Sequence, residues 1–359
     1  MDKHECSRSS SSQNGPVSDT HFSSSNPNLS HNASANRPKQ FYRMGWKLYF
    51  KMYGLDWVIL IITGALGIGI FRLRVVPKHL FPVYQKDGFV ADSSIAYPTA
   101  PDLVPTWLSS LIAAVFSVIV YALAQIWLKS LEDFHAAFLG TLYALASSSL
   151  FQVICKWLIG GLRPKFLEIC KPNVSGVQGA GFGNIFYDVS VCTGDPDSVN
   201  DGISSFPSGH SNAAWAGFLF LFFYLNAKLK VLGSNRRVHY WKLIVVSLPL
   251  LAASLISLSR LLDFSHHWYD ILTGAIIGSF FAILAYRMQY ASIWDARFNH
   301  IPLRTNESVD YDYFESLSTR PNNTVNETEL GNHLAERKKI NLGYPHQLEG
   351  RFRNYYVSD

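Results

Sequence analysis

The stretch "SRLLDFSHHWYDILTGAIIG", Ser259–Gly278, interrupts two of the most apolar parts of the chain. Residues 243–258 before it read "LIVVSLPLLAASLISL", and after Asp270 the sequence becomes apolar again. An arginine, two aspartates and two histidines at the edge of a hydrophobic span are costly to desolvate, so such groups usually line a cavity or a reaction site. Arg260, His266, His267 and Asp270 are therefore the first candidate functional residues.

Working outward, apolar residues concentrate between about residues 54 and 287, and both ends are polar. Six segments approach the ~20 apolar residues needed to cross ~30 Å of hydrocarbon. They fall at about 54–71, 105–127, 135–155, 211–227, 241–258 and 270–287. Only helices satisfy their own backbone polar groups in lipid among open structures, which predicts an all-α membrane protein with six transmembrane helices. Ser and Ala clusters in the third and fifth segments favour close helix packing and a compact bundle. The domain reading is a disordered polar tail at 1–40, a six-span domain at 41–290 and a flexible tail at 291–359.

The whole-chain averages, 48% hydrophobic and 16% charged residues, hide this segregation. A net charge of +5 spread over 359 residues implies no nucleic-acid partner. The first 40 residues contain no basic start followed by an apolar core and small-residue cleavage site, so the first span is expected to do the targeting. None of the four cysteines forms a CxxC pair or neighbours a histidine at zinc-ligand spacing. Cys170 and Cys192 bracket one loop and could pair if that loop faces an oxidising compartment.

Basic residues set the expected orientation. Arg37, Lys39, Arg43, Lys47 and Lys51 precede the first span, and Lys228, Lys230, Arg236, Arg237 and Lys242 lie between the fourth and fifth. Both groups are expected on the cytoplasmic side, with loops 72–104, 156–210 and 259–269 opposite, although Arg72, Arg74 and Lys78 run against that bias.

Three outer loops then bring polar residues to one depth. Lys156 and Arg163 follow the third span in "KWLIGGLRP"; if the helix continues through them, a spacing of seven puts both cations on one face. Either cation alone is more simply explained by snorkelling to the headgroups. Ser208, Gly209 and His210 precede the fourth span in "FPSGHS", which reads as a helix start whose free N–H groups could cradle a phosphate. His210 can donate a proton near neutral pH. His266 and Asp270 are four apart, the spacing of one helical face, where a carboxylate can accept the Nδ1 proton and leave Nε2 as a nucleophile. His267 is three from Asp270, and helical geometry does not exclude it.

These residues fit KxxxxxxRP at Lys156–Pro164, PSGH at Pro207–His210 and SRxxxxxHxxxD at Ser259–Asp270. Together they resemble the three-part signature of the type 2 phosphatidic acid phosphatase superfamily, the lipid phosphate phosphatases. The six-span layout is similar to that of its membrane members, and the core resembles the fungal diacylglycerol pyrophosphate and phosphatidate phosphatases. The resemblance covers about residues 50–290, with no departure at a signature position. It implies His266 as the nucleophile, Asp270 as the residue that orients it, and His210 as the acid for the leaving alcohol. It places Lys156, Arg163, Arg260, Ser208 and Gly209 on the phosphate oxygens. Phosphoryl transfer needs positioned positive charge and an in-line attacker, which three cations can supply, so the resemblance implies no metal or other cofactor. The expected substrates are phospholipid phosphates in the bilayer: phosphatidate, diacylglycerol pyrophosphate and lysophosphatidate. An isoprenoid or sphingoid-base phosphate, or an inactive lipid-phosphate binding relative, is the alternative. The implied location is an endomembrane, whether endoplasmic reticulum, Golgi or vacuole, with the site on the lumenal side.

Two other motifs carry no chemistry. "DPDSV" at 195–199 matches an aspartyl-phosphatase motif but lacks the buried strand that such a motif needs, and "GVQGAGFGN" follows no strand and opens no long helix. Of the sequons at Asn28, Asn32, Asn173, Asn306, Asn322 and Asn326, only Asn173 lies in an expected outer loop.

Overall fold

The computed structural model describes residues 46–76, 79–84, 89–102, 105–233 and 237–303. The expected tail at 1–40, the part of the second tail beyond 303 and the sequons within them lie outside the described residues. Residues up to 49 cluster as a separate unit, and the architecture that follows belongs to the unit from Phe50 onward.

Among the described residues there are six long helices: α1 (Trp46–Phe71), α2 (Thr106–Leu128), α3 (Leu131–Ile159), α6 (Gly209–Leu229), α7 (Tyr240–Leu262) and α8 (Trp268–Gln289). Two short ones, α4 (Phe166–Cys170) and α5 (Pro196–Gly202), lie between α3 and α6. Five of the long helices have the length and hydropathy of a membrane span; α6 is not among them. That helix carries His210, Ser211, Asn212 and Asn226, all buried, because it packs against protein rather than lipid. Exposed Leu55, Ile61, Ile68, Leu255 and Ile276 on the surrounding helices suit contact with acyl chains.

Small residues set the closest helix crossing. A Cβ on Gly274 of α8 would sit 2.4 Å from the Ser208 carbonyl oxygen, and one on Gly278 would sit 2.3 Å from that of Asn212. Membrane helices lack a hydrophobic drive to associate, so backbone proximity of this kind supplies the packing. At the opposite end of the bundle, the fully buried Asp133 accepts hydrogen bonds from Tyr224 at 2.9 Å and Tyr290 at 3.2 Å, and pairs with Lys228 at 2.5 Å. That network ties the start of α3 to the ends of α6 and α8. Residues 291–303, assigned by sequence to the tail, pack back there: Ala291 N donates to Ile301 O at 3.0 Å and Tyr286 Oη to Asn299 O at 2.8 Å.

Beyond the other end of α3, two-residue strands β1 (Phe81–Pro82) and β2 (Phe186–Tyr187) pair antiparallel. Phe81, Phe166, Val191 and Ile203 build a small second core beside them. Cys170 and Cys192 form a disulfide within it. The "DPDSV" stretch opens the short α5, with Asp195 capping it by accepting from Ser198 N at 2.9 Å.

The crossing at Gly274 makes a prediction. Gly274→Ala should destabilise by about 1–3 kcal/mol, the usual cost of overpacking, and should depress turnover because Ser208 must move. A melting temperature of the detergent-solubilised variant equal to that of the parent would contradict this.

Candidate active site

Five segment ends meet at one end of the bundle: the last turn of α3, the loop after it, the start of α6, the end of α7 and the start of α8. Lys156, in the last turn of α3, donates to Ser204 O at 2.7 Å. The helix does not continue to Arg163 as the seven-residue spacing suggested. It stops at Ile159 because Gly160 takes φ 63°, and a Cβ there would lie 2.5 Å from Val75. The chain then runs beside 202–206: Gly161 N donates to Ile203 O at 2.8 Å, Ser205 N to Gly161 O at 2.9 Å and Arg163 N to Gly202 O at 2.9 Å. Backbone pairing, not a helical face, therefore brings Arg163 alongside the segment that leads into α6. Its guanidinium pairs with Asp201 at 2.7 Å and reaches Ser265 O at 3.4 Å.

Ser208 is the N-cap of α6, and Gly209 opens the helix. First-turn amides of a helix have no intrahelical acceptor, which is the property that suits an anion. The Ser208 amide itself is not available, since it donates to Asp270 O at 3.0 Å. Gln152 Nε2 holds the Pro207 carbonyl at 2.8 Å. His210 follows, almost fully buried.

Arg260 is fully buried at the end of α7. It pairs with Asp263 at 2.7 Å, and its NH1 lies 3.3 Å from His210 Nε2 and 3.7 Å from Asp102 Oδ1. A guanidinium can only donate, so His210 Nε2 accepts in this arrangement. The turn from Asp263 to His266 contains Phe264 at φ 52°, a conformation that costs a bulky residue of order 1–3 kcal/mol and tends to occur at functional sites. Stacking of Phe264 on Tyr97, centroids 4.8 Å apart, helps hold it.

His266 and Asp270 do not share a helical face, as the spacing of four suggested. α8 begins only at Trp268, His267 is its N-cap, and Asp270 turns back from the first turn to accept the His267 amide at 2.9 Å. His266 Nδ1 lies 3.6 Å from Asp270 Oδ2, longer than a hydrogen bond. Ser205 bridges them: its hydroxyl donates to Asp270 Oδ2 at 2.6 Å and lies 3.3 Å from His266 Nδ1. His267 Nδ1 is 3.7 Å from Asp270, and its ring stacks on Tyr269. The rings of His210 and His266 stand 6.4 Å apart.

The eight residues to which the resemblance gives a role thus gather in one place, with His267 beside them. Ser205, Asp263 and Gln152 were missed. Asp263 could have been found, since it lies one helical turn after Arg260. Ser205 and Gln152 gave no signal, because their roles depend on tertiary register. Burial pushes the pKa of His266 down to about 3, with Arg163 and Lys156 adding to the effect and Asp270 opposing it. The imidazole is therefore neutral at physiological pH, the form in which a ring nitrogen is nucleophilic.

Buried histidines, cations and a carboxylate at one end of an apolar helical bundle define a multi-pass integral membrane protein with an anion-handling centre. Residues 137–294, which hold every one of these groups apart from Asp102, match the PAP2 superfamily. A PA-phosphatase related-family protein of Dictyostelium discoideum is 34% identical over 310 residues, covering 81% of this chain and 89% of its own. Lipid phosphate phosphatase 1 of Arabidopsis thaliana is 34% identical over 238 residues, 66% of this chain and 67% of its own. Diacylglycerol pyrophosphate phosphatase 1 of Saccharomyces cerevisiae is 32% identical over 240 residues, 63% of this chain and 80% of its own. No solved structure matches the chain. The chain belongs to the PAP2 superfamily.

The low pKa of His266 has a consequence for stability. Between the ordinary value of 6.5 and about 3, the unfolded chain holds a proton on this residue that the folded chain does not. Stability should therefore fall as pH drops through that window and recover as it rises. His266→Gln should flatten the dependence of melting temperature on pH between 7 and 4; parallel curves for the two proteins would show that His266 is not held neutral.

Proposed function

We propose that the protein is a lipid phosphate phosphatase that hydrolyses phosphatidate, and also diacylglycerol pyrophosphate and lysophosphatidate, through a phosphohistidine intermediate without magnesium. The observation that carries the reading is the pair of buried histidines 6.4 Å apart, with Lys156, Arg163 and Arg260 around them. His266 Nε2 attacks phosphorus, the bond to the lipid oxygen breaks, and His210, which must be the protonated imidazolium released from Arg260 at this step, gives that oxygen a proton and becomes neutral. Water then gives a proton to neutral His210 as its oxygen adds to phosphorus, the N–P bond breaks, and inorganic phosphate, neutral His266 and protonated His210 result. Asp270 and Ser205 fix the ring on its Nδ1 side. The three cations and the Gly209 end of α6 stabilise charge on the equatorial oxygens, which is where phosphoryl transfer needs it. The names of the relatives support a lipid phosphate as substrate.

The site is proposed to face the lumen of an endomembrane. The Cys170–Cys192 disulfide lies in the same loop region as Arg163, and disulfides persist in oxidising compartments. An exposed Asn173 in that region should then carry a glycan removable by endoglycosidase, while Asn28 and Asn322 stay bare. Glycans on the tails would invert the orientation.

Purified protein in EDTA should release phosphate from these lipids, and vanadate should inhibit it. Turnover abolished by EDTA and restored by magnesium would refute the mechanism; isoprenyl diphosphates and sphingoid-base phosphates in the same panel would reveal a different substrate class. Acid-labile, base-stable phosphate should be trapped on the parent but not on His266→Ala. His210→Ala should lose ~10²–10⁴ in rate on a monophosphate, the usual worth of a general acid. The loss should shrink on a diphosphate, whose leaving phosphate needs no proton. His267→Ala should stay within about tenfold of the parent, since contacts away from the reacting atoms are usually cheap to lose. Label that persists on His266→Ala and vanishes from His267→Ala would move the nucleophile by one residue.

A further inference from the structure

Lys165 and Asp102 lie beside the site and have no role in the reaction as described. Lys165 is two residues past Arg163, at the N-cap of α4, and its side chain is only 12% exposed. Its Nζ lies 3.2 Å from Ser265 Oγ, one residue from His266, and 3.8 Å from Asp102 Oδ1. Asp102 reaches over from the loop before α2 and is about half exposed, at 51%. Its Oδ1 accepts from Ser265 Oγ at 3.3 Å and stands 3.7 Å from Arg260 NH1.

These contacts form a connected series. Arg260 NH1 touches His210 Nε2, on the leaving-group side, and the same nitrogen faces Asp102, which in turn faces Lys165. Side-chain exposure is 0% at Arg260, 51% at Asp102 and 12% at Lys165, so Asp102 is the solvent-facing member, held between a fully buried and a largely buried cation. A carboxylate between two cations occupies the kind of position that a phosphate oxygen would take.

We infer that Lys165 and Asp102 form a subsite for a second phosphate: Lys165 binds the leaving phosphate of a lipid diphosphate, and Asp102 is the anion that this phosphate displaces. The inference rests on the proposed phosphatase reaction and names the substrate class that reaction favours. When His266 attacks the terminal phosphorus of a diphosphate, the N–P bond forms and the P–O bond to the bridging oxygen breaks. The electron pair leaves on the bridging oxygen, so the departing phosphomonoester gains a negative charge, which Lys165 meets without a proton from His210. A monophosphate lipid has an alcohol at that point and places no charge there for Lys165 to bind. The charge of Lys165 therefore discriminates between the two classes.

The test measures kcat and KM for a lipid monophosphate and the matching lipid diphosphate in mixed micelles, with parent, Lys165→Ala, Lys165→Arg and Asp102→Asn. Lys165→Ala should lower the ratio of diphosphate to monophosphate kcat/KM by about ten- to a hundredfold, the range over which a charge-assisted hydrogen bond acts. Lys165→Arg should restore most of that ratio, which a purely structural loss would not. Asp102→Asn should lower KM for the diphosphate, since the competing anion is gone. Equal loss on both lipids in Lys165→Ala, or a raised diphosphate KM in Asp102→Asn, would overturn the inference and leave the proposed phosphatase intact. A parent that releases phosphate from neither lipid would overturn both, and a parent that acts on the monophosphate alone would overturn only the subsite.

Discussion

The contact between Gly274 and the Ser208 carbonyl is the constraint on which the site depends. It lets α8 lie against the start of α6 closely enough for the Ser208 amide to donate to Asp270 O at 3.0 Å. That hydrogen bond joins the cap of the helix that carries His210 to the first turn of the helix that follows His266. Neither histidine is positioned by its own side-chain contacts alone. Ser211 reinforces the junction by donating to Ile271 O at 2.8 Å. The site is thus a by-product of a helix crossing, and a crossing between rigid helices is stiffer than any loop could be. The same crossing explains why α6 is polar at its start: its first turn meets backbone, not lipid.

Gathering cations in one place requires anions to hold them apart. Arg163 is occupied by Asp201, and Arg260 by Asp263, with Asp102 nearby. Burying a guanidinium without a partner costs several kcal/mol, so these carboxylates stabilise the fold even though they compete with a substrate for the same charges. Their burial sorts them. Asp263 is almost fully buried and belongs to the permanent structure, whereas Asp201 and Asp102 are more than half exposed. The buried Asp263 alone is enough to keep Arg260 oriented, whatever becomes of the exposed carboxylates.

The helices were legible because the reading rests on composition over long windows: each of the six expected segments lies within, or within a residue of, an observed helix, although only five of those helices have the length and hydropathy of a span. The site residues were legible as a set because three short motifs fell at the same ends of those spans. What could not be read was the local geometry that joins them. The two glycines at 160–161 end α3 and turn Arg163 onto a backbone ladder, and helical spacing arithmetic cannot see such a turn. His266 fell outside α8 because His267 caps it, a one-residue boundary that sequence rarely resolves. Ser205 entered the site through pairing with Gly161, a contact 44 positions apart that no local pattern encodes. The packing of 291–303 was hidden for a similar reason. Grouped by sequence with the polar stretch beyond it, the segment in fact carries Ile293, Trp294, Phe298, Ile301 and Leu303, its backbone meets Gln289 and its Asn299 meets Tyr286.

The two ends of the bundle handle buried charge in opposite ways, and the contrast fits their tasks. At the far end, Asp133 has Lys228, Tyr224 and Tyr290 within hydrogen-bonding reach, so the carboxylate is satisfied from several helices at once. A network satisfied in this way rigidifies the helices it joins. At the site end, Asp270 Oδ1 and Asn212 Oδ1 are buried without a hydrogen-bond partner, and Asp270 Oδ2 takes both Ser205 and the His267 amide. A buried polar atom without a partner costs stability. The helices that bear Asp133 and Lys228, and the one that Tyr290 caps, are the same ones that carry Lys156, His210 and Asp270, so the far network fixes the elements on which those residues stand.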